Sequence, residues 1–176
     1  MRNLILLILV SLLALTCNKD RYSPDYSDGR FWGIKNGEYW EAEAFASTAM
    51  DNRIAISIVR KNIHGFRRES LGISLLPIKI GEYKLHDHTT VMFGDSLIRA
   101  TYTTLQEDGD VIEDAYKTLE AEQTQFFVRI NNITNDMKWL EGEVDCSFVL
   151  IPPRINLLNP DTVRFENCRF KVKRIN

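Results

Sequence analysis

The sequence predicts an all-β protein, an antiparallel β-sandwich or barrel of about nine strands. Three observations carry that reading. From Phe31 onward apolar residues recur with period two, turn residues interrupt them about every ten positions, and helical periodicity is scarce. The chain has 176 residues, 44% hydrophobic and 26% charged, which suits one domain able to bury its own core. The apolar share excludes a disordered chain, and its dispersal excludes a multi-span membrane protein. A net charge of −2 argues against a nucleic-acid partner, which would call for a basic surface.

Taken in order, Asn36-Gly37 predicts a two-residue hairpin between strands over 31–34 and 38–45, because both central residues accept φ > 0. Residues 53–60 place Ile54, Ile56 and Ile58 on one face. Residues 69–76 do the same with Leu71, Ile73 and Leu75. A short strand is expected over 83–85, and Ile98, Ala100 and Tyr102 share a face over 96–103. Asp108-Gly109 marks a second hairpin, leading into a segment that starts at Val111. Residues 112–124, with Glu, Ala, Lys and Leu in good supply, are the one stretch that suits a helix; a loop over one end of the fold fits equally well. Val128 and Ile130 pair over 125–131. The longest run, 140–151, sets Gly142, Val144, Cys146, Phe148 and Leu150 against Glu141, Glu143, Asp145 and Ser147. Over 162–174, Val163 and Phe165 lie in one phase and Cys168, Phe170 and Val172 in the other, so a β-bulge is expected at Glu166-Asn167. His64-Gly65, Ile80-Gly81 and Pro152-Pro153 mark further corners.

The first residues differ from the rest. Arg2 is followed by an apolar run from Leu4 to Leu15 broken only by Ser11, too short for a bilayer span of roughly 20 residues and matched to the apolar region of a signal peptide. The run ends Leu13-Ala14-Leu15-Thr16-Cys17. This resembles the lipobox of bacterial lipoproteins, in which the cysteine is acylated and the chain is cut before it; the usual Leu and the usual small residue are replaced here by Ala14 and Thr16. The resemblance implies a signal-peptide helix over 1–16 and a lipid on Cys17; the polar, aperiodic stretch that follows reads as a tether over 17–30, and the alternating remainder as a single β domain over 31–176. Three or more acyl chains would hold a soluble domain on a membrane.

Few residues suggest chemistry. Cys146 and Cys168 fall on apolar faces of neighbouring strands; a disulfide in an oxidising compartment and a pair of reduced core cysteines both fit. His86 and His88 share a strand face and are weak candidate metal ligands, because a zinc site needs three or four protein ligands and nothing nearby completes the set. The carboxylates at Glu107, Asp108, Asp110, Glu113 and Asp114 lack calcium-loop spacing and read as a solvated turn. Glu41/Glu43 and Glu141/Glu143 are same-face pairs of the kind a glycosidase uses, and also what a wet strand face produces. Trp32, Tyr39, Trp40 and Trp139 could face a sugar or an apolar ligand, although Trp40, Ala42 and Ala44 share an inward-looking phase. No phosphate loop, nucleophile elbow or metalloprotease motif is present, and no cofactor is expected.

Asn36-Gly37-Glu38-Tyr39-Trp40 with Ala42, then Gly81-Glu82-Tyr83-Lys84-Leu85, resembles an uncharacterised family of Bacteroidetes-type envelope lipoproteins. In that family an Asn-Gly-x-x-Trp hairpin opens the domain and a Gly-x-Tyr-x-Leu segment follows two central strands. The resemblance implies an all-β, lipocalin-like domain anchored in the cell envelope, with the outer membrane the expected site and either of its sides open. It brings no catalytic residue. The resulting expectation is a non-catalytic binding or interaction module for a small apolar or glycan ligand or an envelope partner. The alternatives are a structural or adhesive subunit of a surface assembly and, third, a hydrolase.

Overall fold

The computed structural model of the chain describes residues 22–49, 52–86, 97–119 and 126–175. Those residues form ten strands in one sheet and no helix. The strands are β1 (Gly29–Lys35), β2 (Glu38–Thr48), β3 (Arg53–Lys61), β4 (Arg67–Pro77), β5 (Gly81–Lys84), β6 (Arg99–Leu105), β7 (Ile112–Thr118), β8 (Phe127–Ile133), β9 (Trp139–Leu150) and β10 (Thr162–Ile175). The signal-peptide stretch, Cys17 and His88 lie outside the described residues.

Of the two architectures expected, the sheet adopts the barrel. Neighbours run β1-β2-β3-β4-β6-β7-β9-β10, and β10 returns to β1 antiparallel, closing the ring. Along the edge of β9 that faces away from β10, Leu150, Val149 and Phe148 pair with β7, and the earlier residues 140–145 pair with β8, which carries β5 on its far side. At the end of β1, β10 reaches past it to meet β2 in parallel at Ala46 and Ser47. Closure leaves β5 as the one strand with a single neighbour among the described residues, and so removes most of the free edge whose unpaired amides would otherwise invite other chains.

Alternation set the faces as expected over most of the barrel. Ile54, Ile56 and Ile58 are buried, as are Ala100 and Tyr102, Val128 and Ile130, and Val144, Cys146 and Phe148. Asn36 (φ 51°) and Gly37 (φ 83°) make the tight turn between β1 and β2, the left-handed pair that follows strand twist. The β10 bulge is present: pairing with β9 slips between Phe165 and Cys168, with Asn167 at φ 51°.

Three expectations are corrected. Leu75 does not share a face with Leu71 and Ile73. It adopts φ 61° at a bulge, its carbonyl takes a hydrogen bond from Arg53 at 2.9 Å, and Leu76 turns into the core instead. Residues 112–118 are a strand rather than a helix or loop. Its buried residues are Asp114, Tyr116 and Thr118, a polar set that hides period-two patterning. Finally, the tether stops short of residue 30. Strand β1 begins at Gly29, and residues 22–28 run back along the outer wall of β2 and β3. Asp25 N donates to Glu43 at 3.0 Å, and Tyr22 N donates to the Ile63 carbonyl at 2.8 Å.

The turns 36–37, 62–66 and 106–111 and the loop 151–161 all lie at one end of the barrel, called here the loop end. Asn62 Nδ2 donates to the Glu107 carbonyl at 3.4 Å, joining two of these turns, and Asn159 of the loop donates to Glu113 at the start of β7 at 3.3 Å.

Candidate functional site

The barrel interior is packed rather than hollow. Trp40 meets Phe31 and Phe165 edge-on, with ring centroids 5.7 and 5.3 Å apart, and Tyr102 packs on Phe165, Phe148 and Tyr116 at 5.5, 5.9 and 5.2 Å. Edge-to-face and offset rings at these spacings add to the burial of their area. Trp40 is therefore a core residue, and of the four candidate aromatics it is the one withdrawn from solvent.

Toward the loop end, four strands converge on a single carboxylate. Glu69 Oε2 accepts from Lys35 Nζ at 2.5 Å, Tyr102 Oη at 2.7 Å and Trp40 Nε1 at 3.2 Å, and Arg60 reaches Oε1 at 3.4 Å. Lys35 also holds the Tyr102 hydroxyl at 2.8 Å. Burial works to raise the carboxyl pKa, yet Lys35, with Tyr102 and Arg60, outweighs it and holds Glu69 below the usual carboxylate range. Burial and the same carboxylate push the Tyr102 phenol far up. A carboxylate with both oxygens engaged and a phenol that keeps its proton are poor partners for proton transfer. The cluster closes the barrel mouth, and a cleft of about 170 Å³ above it is bordered by Arg68, Thr104 and Asn159. Beside it, buried Asp114 accepts from Ile155 N at 2.7 Å, Asn156 N at 3.3 Å and Asn159 Nδ2 at 2.7 Å. Burial would raise its pKa, but these donors keep it lowered.

The outer wall over β8, β9, β10 and β1 is different in kind. Trp32 alternates with buried Phe31 and Gly33 and so faces outward, half-buried, beside a groove of about 460 Å³ lined with Asn131, Glu141, Glu143, Arg169 and Lys171. An adjoining hollow of about 290 Å³ adds Phe127, Asp145 and Asn167. The Arg30 guanidinium lies over Trp32 at 5.6 Å and over Tyr26 at 5.2 Å, a cation held between two rings. Charges along the wall are matched across strands: Lys171 with Glu141 at 2.8 Å, and Arg129 with Glu143 at 3.0 Å. Trp139, half-buried, sits under Lys171 Nζ at 5.7 Å. Tyr39 is exposed on β2, where its hydroxyl takes a hydrogen bond from Arg30 at 3.0 Å and donates to Glu41 at 3.1 Å. The structure thus brings Trp32, Tyr39 and Trp139 to the outer surface but puts Trp32 alone at the groove.

The carboxylate pairs are likewise engaged. Glu41 is bound by Arg30, Glu43 by Lys61 at 2.8 Å, and Glu141 and Glu143 as above. Cys146 and Cys168 are free, buried thiols. Burial pushes Cys146 well up and raises Cys168 to about 12, which makes both poor nucleophiles. His86 donates its backbone N–H to the Ile98 carbonyl at 2.9 Å. Among the described residues no three His, Cys, Asp or Glu side chains gather as metal ligands.

Sequence reasoning passed over Glu69 and Lys35, and it read Asp114 as part of a solvated turn, whereas Asp114 is buried on β7 because donors from 151–161 satisfy its carboxylate. The signal was present: Glu69 is in phase with Leu71 and Ile73, Lys35 with Phe31 and Gly33, and Asp114 with Tyr116. A charge on the inward phase of a strand needs a partner inside. No family model, curated protein or solved structure matches the chain.

Proposed function

We propose that the chain is an envelope lipoprotein, acylated at Cys17 and held at the outer membrane, whose barrel binds a glycan on its outer wall and performs no catalysis. The observation that carries the binding reading is the groove at Trp32. An indole offers a flat apolar face to a sugar ring, while Arg169, Lys171, Glu141, Glu143 and Asn131 around it offer hydrogen-bond donors and acceptors. A groove of about 460 Å³ falls in the range of pockets that hold small ligands, roughly 300–1,000 Å³. The packed interior favours this wall over the alternative of an apolar ligand inside the barrel. The other reading, a subunit that assembles by strand addition, is weakened because every strand but β5 pairs with two neighbours.

The test is tryptophan fluorescence and calorimetry of the purified protein against soluble oligosaccharides built on glucose, xylose and N-acetylglucosamine. Binding by one class, abolished in Trp32→Ala with the fold intact, is expected. Binding that survives Trp32→Ala, or no binding across the panel, overturns the wall as the site.

A further inference from the structure

The loop end carries most of the exposed apolar bulk of the described chain. Ile63 and Phe66 stand out from the β3–β4 turn, and Val111 and Ile112 from the β6–β7 turn. The loop 151–161 adds Ile155, Leu157 and Leu158, the last two 83% and 93% exposed. At the opposite end the exposed apolar residues are fewer: Ile80 on one turn, and Met137 on another near Ile175 at the end of β10. Scattered apolar residues are normal on a protein surface; a set gathered at one end asks for a partner.

These residues are not on slack chain. Asp114 grips Ile155 N at 2.7 Å and Asn159 Nδ2 at 2.7 Å, and Asn156 Oδ1 takes the Leu158 N–H at 2.9 Å. The two leucines are thus presented to solvent by a loop whose backbone is tied down from below. The β3–β4 turn is tied by Asn62, whose Oδ1 accepts from His64 N at 2.9 Å and Phe66 N at 3.0 Å.

What lies nearest is given by the chain itself. Residues 22–28 run back along the barrel wall to this end, where Tyr22 N donates to Ile63 at 2.8 Å and the Tyr22 ring lies under Lys61 Nζ at 5.0 Å. Cys17 precedes Tyr22 by 22 − 17 = 5 residues. Even fully extended, five residues reach roughly 18 Å, less than the thickness of a small domain. An acyl chain on Cys17 would therefore hold the loop end, rather than the opposite end of the barrel, near the bilayer.

We infer that the loop end is a membrane-docking face, with Leu157, Leu158, Ile155, Ile63 and Phe66 entering the interface between headgroups and acyl chains. Charges of both signs lie at the same end, Glu107, Asp108 and Asp110 with Lys61, Arg67 and Arg154, so the attraction is apolar rather than a pull on anionic headgroups, and the fitting partner is a zwitterionic lipid surface. Docking this way stands the barrel upright and leaves the Trp32 wall facing the aqueous space. The inference rests on the acylation of Cys17 proposed above.

The test uses protein purified from membranes, with Leu158→Cys or, at the opposite end, Met137→Cys carrying an environment-sensitive fluorophore; buried Cys146 and Cys168 stay unlabelled. Each is reconstituted into phosphatidylcholine vesicles containing nitroxide lipid. The label at position 158 is expected to shift to the blue and to be quenched several-fold more than the label at 137, and Leu157→Asp is expected to remove the difference. Equal, water-like emission at both positions overturns docking. Intact mass reads acylation separately. An acylated protein with an unquenched 158 label keeps the anchor and loses the docking face. An unacylated protein whose 158 label is quenched on added vesicles loses the anchor and keeps the face.

Discussion

The Tyr102 hydroxyl donates to Glu69 at 2.7 Å from a position almost wholly enclosed by aromatic rings. It ties the polar mouth of the barrel to the apolar plug beneath it. Removing the charge at Glu69 leaves Lys35 near a neutral partner and loosens both layers.

Glu69→Gln is accordingly expected to cost about 3 kcal/mol near neutral pH, the order seen when a buried ion pair loses one member. The Glu69 carboxyl is lowered in the folded protein from an ordinary value of 4.5. Its stabilisation is therefore complete above that ordinary value and is lost as pH falls through the lower folded one. Urea denaturation at pH 7 and pH 3 should show the gap between wild type and variant closing in acid. A gap that is constant with pH would mean the carboxylate charge is not what Lys35 and Tyr102 hold.

Two tryptophans on neighbouring strands should separate cleanly. Trp40 is buried among Phe31 and Phe165, and Trp40→Ala is expected to cost about 3–5 kcal/mol. Trp32→Ala, on the outer wall, should change stability by about 1 kcal/mol or less while removing glycan binding. Denaturant midpoints for the two variants check the split.

The two core thiols should be inert until the barrel opens. Cys168 is raised to about 12 by burial, and Cys146 is raised well above its ordinary value by the same cause. Iodoacetamide at pH 8 is expected to leave both unmodified in the native protein and to modify both in denaturant without reductant. A mass two hydrogens lighter that resists alkylation in denaturant would show a disulfide instead.

Cys17→Ser is expected to move the protein from the membrane pellet to the soluble fraction and to abolish labelling by an alkyne fatty acid. Membrane association that persists in the variant, with no label on the wild type, would remove the acyl anchor.

Period-two patterning was strong enough to place Ile54, Ile56 and Ile58 inward and to reveal the β10 bulge, because Phe165 and Cys168 sit in visibly different phases. The bulge at Leu75 left no such trace. Leu75 and Leu76 are chemically alike, so either could be the inward residue, and only pairing with β3 decides. In β7 the inward residues are Asp114, Tyr116 and Thr118, whose apolar content is too low to outweigh the helix formers around them. They are buried because their polar atoms find partners in 151–161 and in β6, which no local pattern reports.

By itself the sequence determined that the body is β, where most strands start and turn, and which face of each is apolar. These are properties of residues two apart, set by the pleat. Only the tertiary structure decided that β10 meets β1 and closes the sheet, and that Lys35 and Tyr102, 34 and 33 residues from Glu69, share its carboxylate. The tertiary structure also folded residues 22–28 back to Ile63, bringing the tether to the same end of the barrel as the exposed leucines. Alternation fixes which way a side chain points. Strand order and register fix what it meets, and those arise from packing the whole barrel at once.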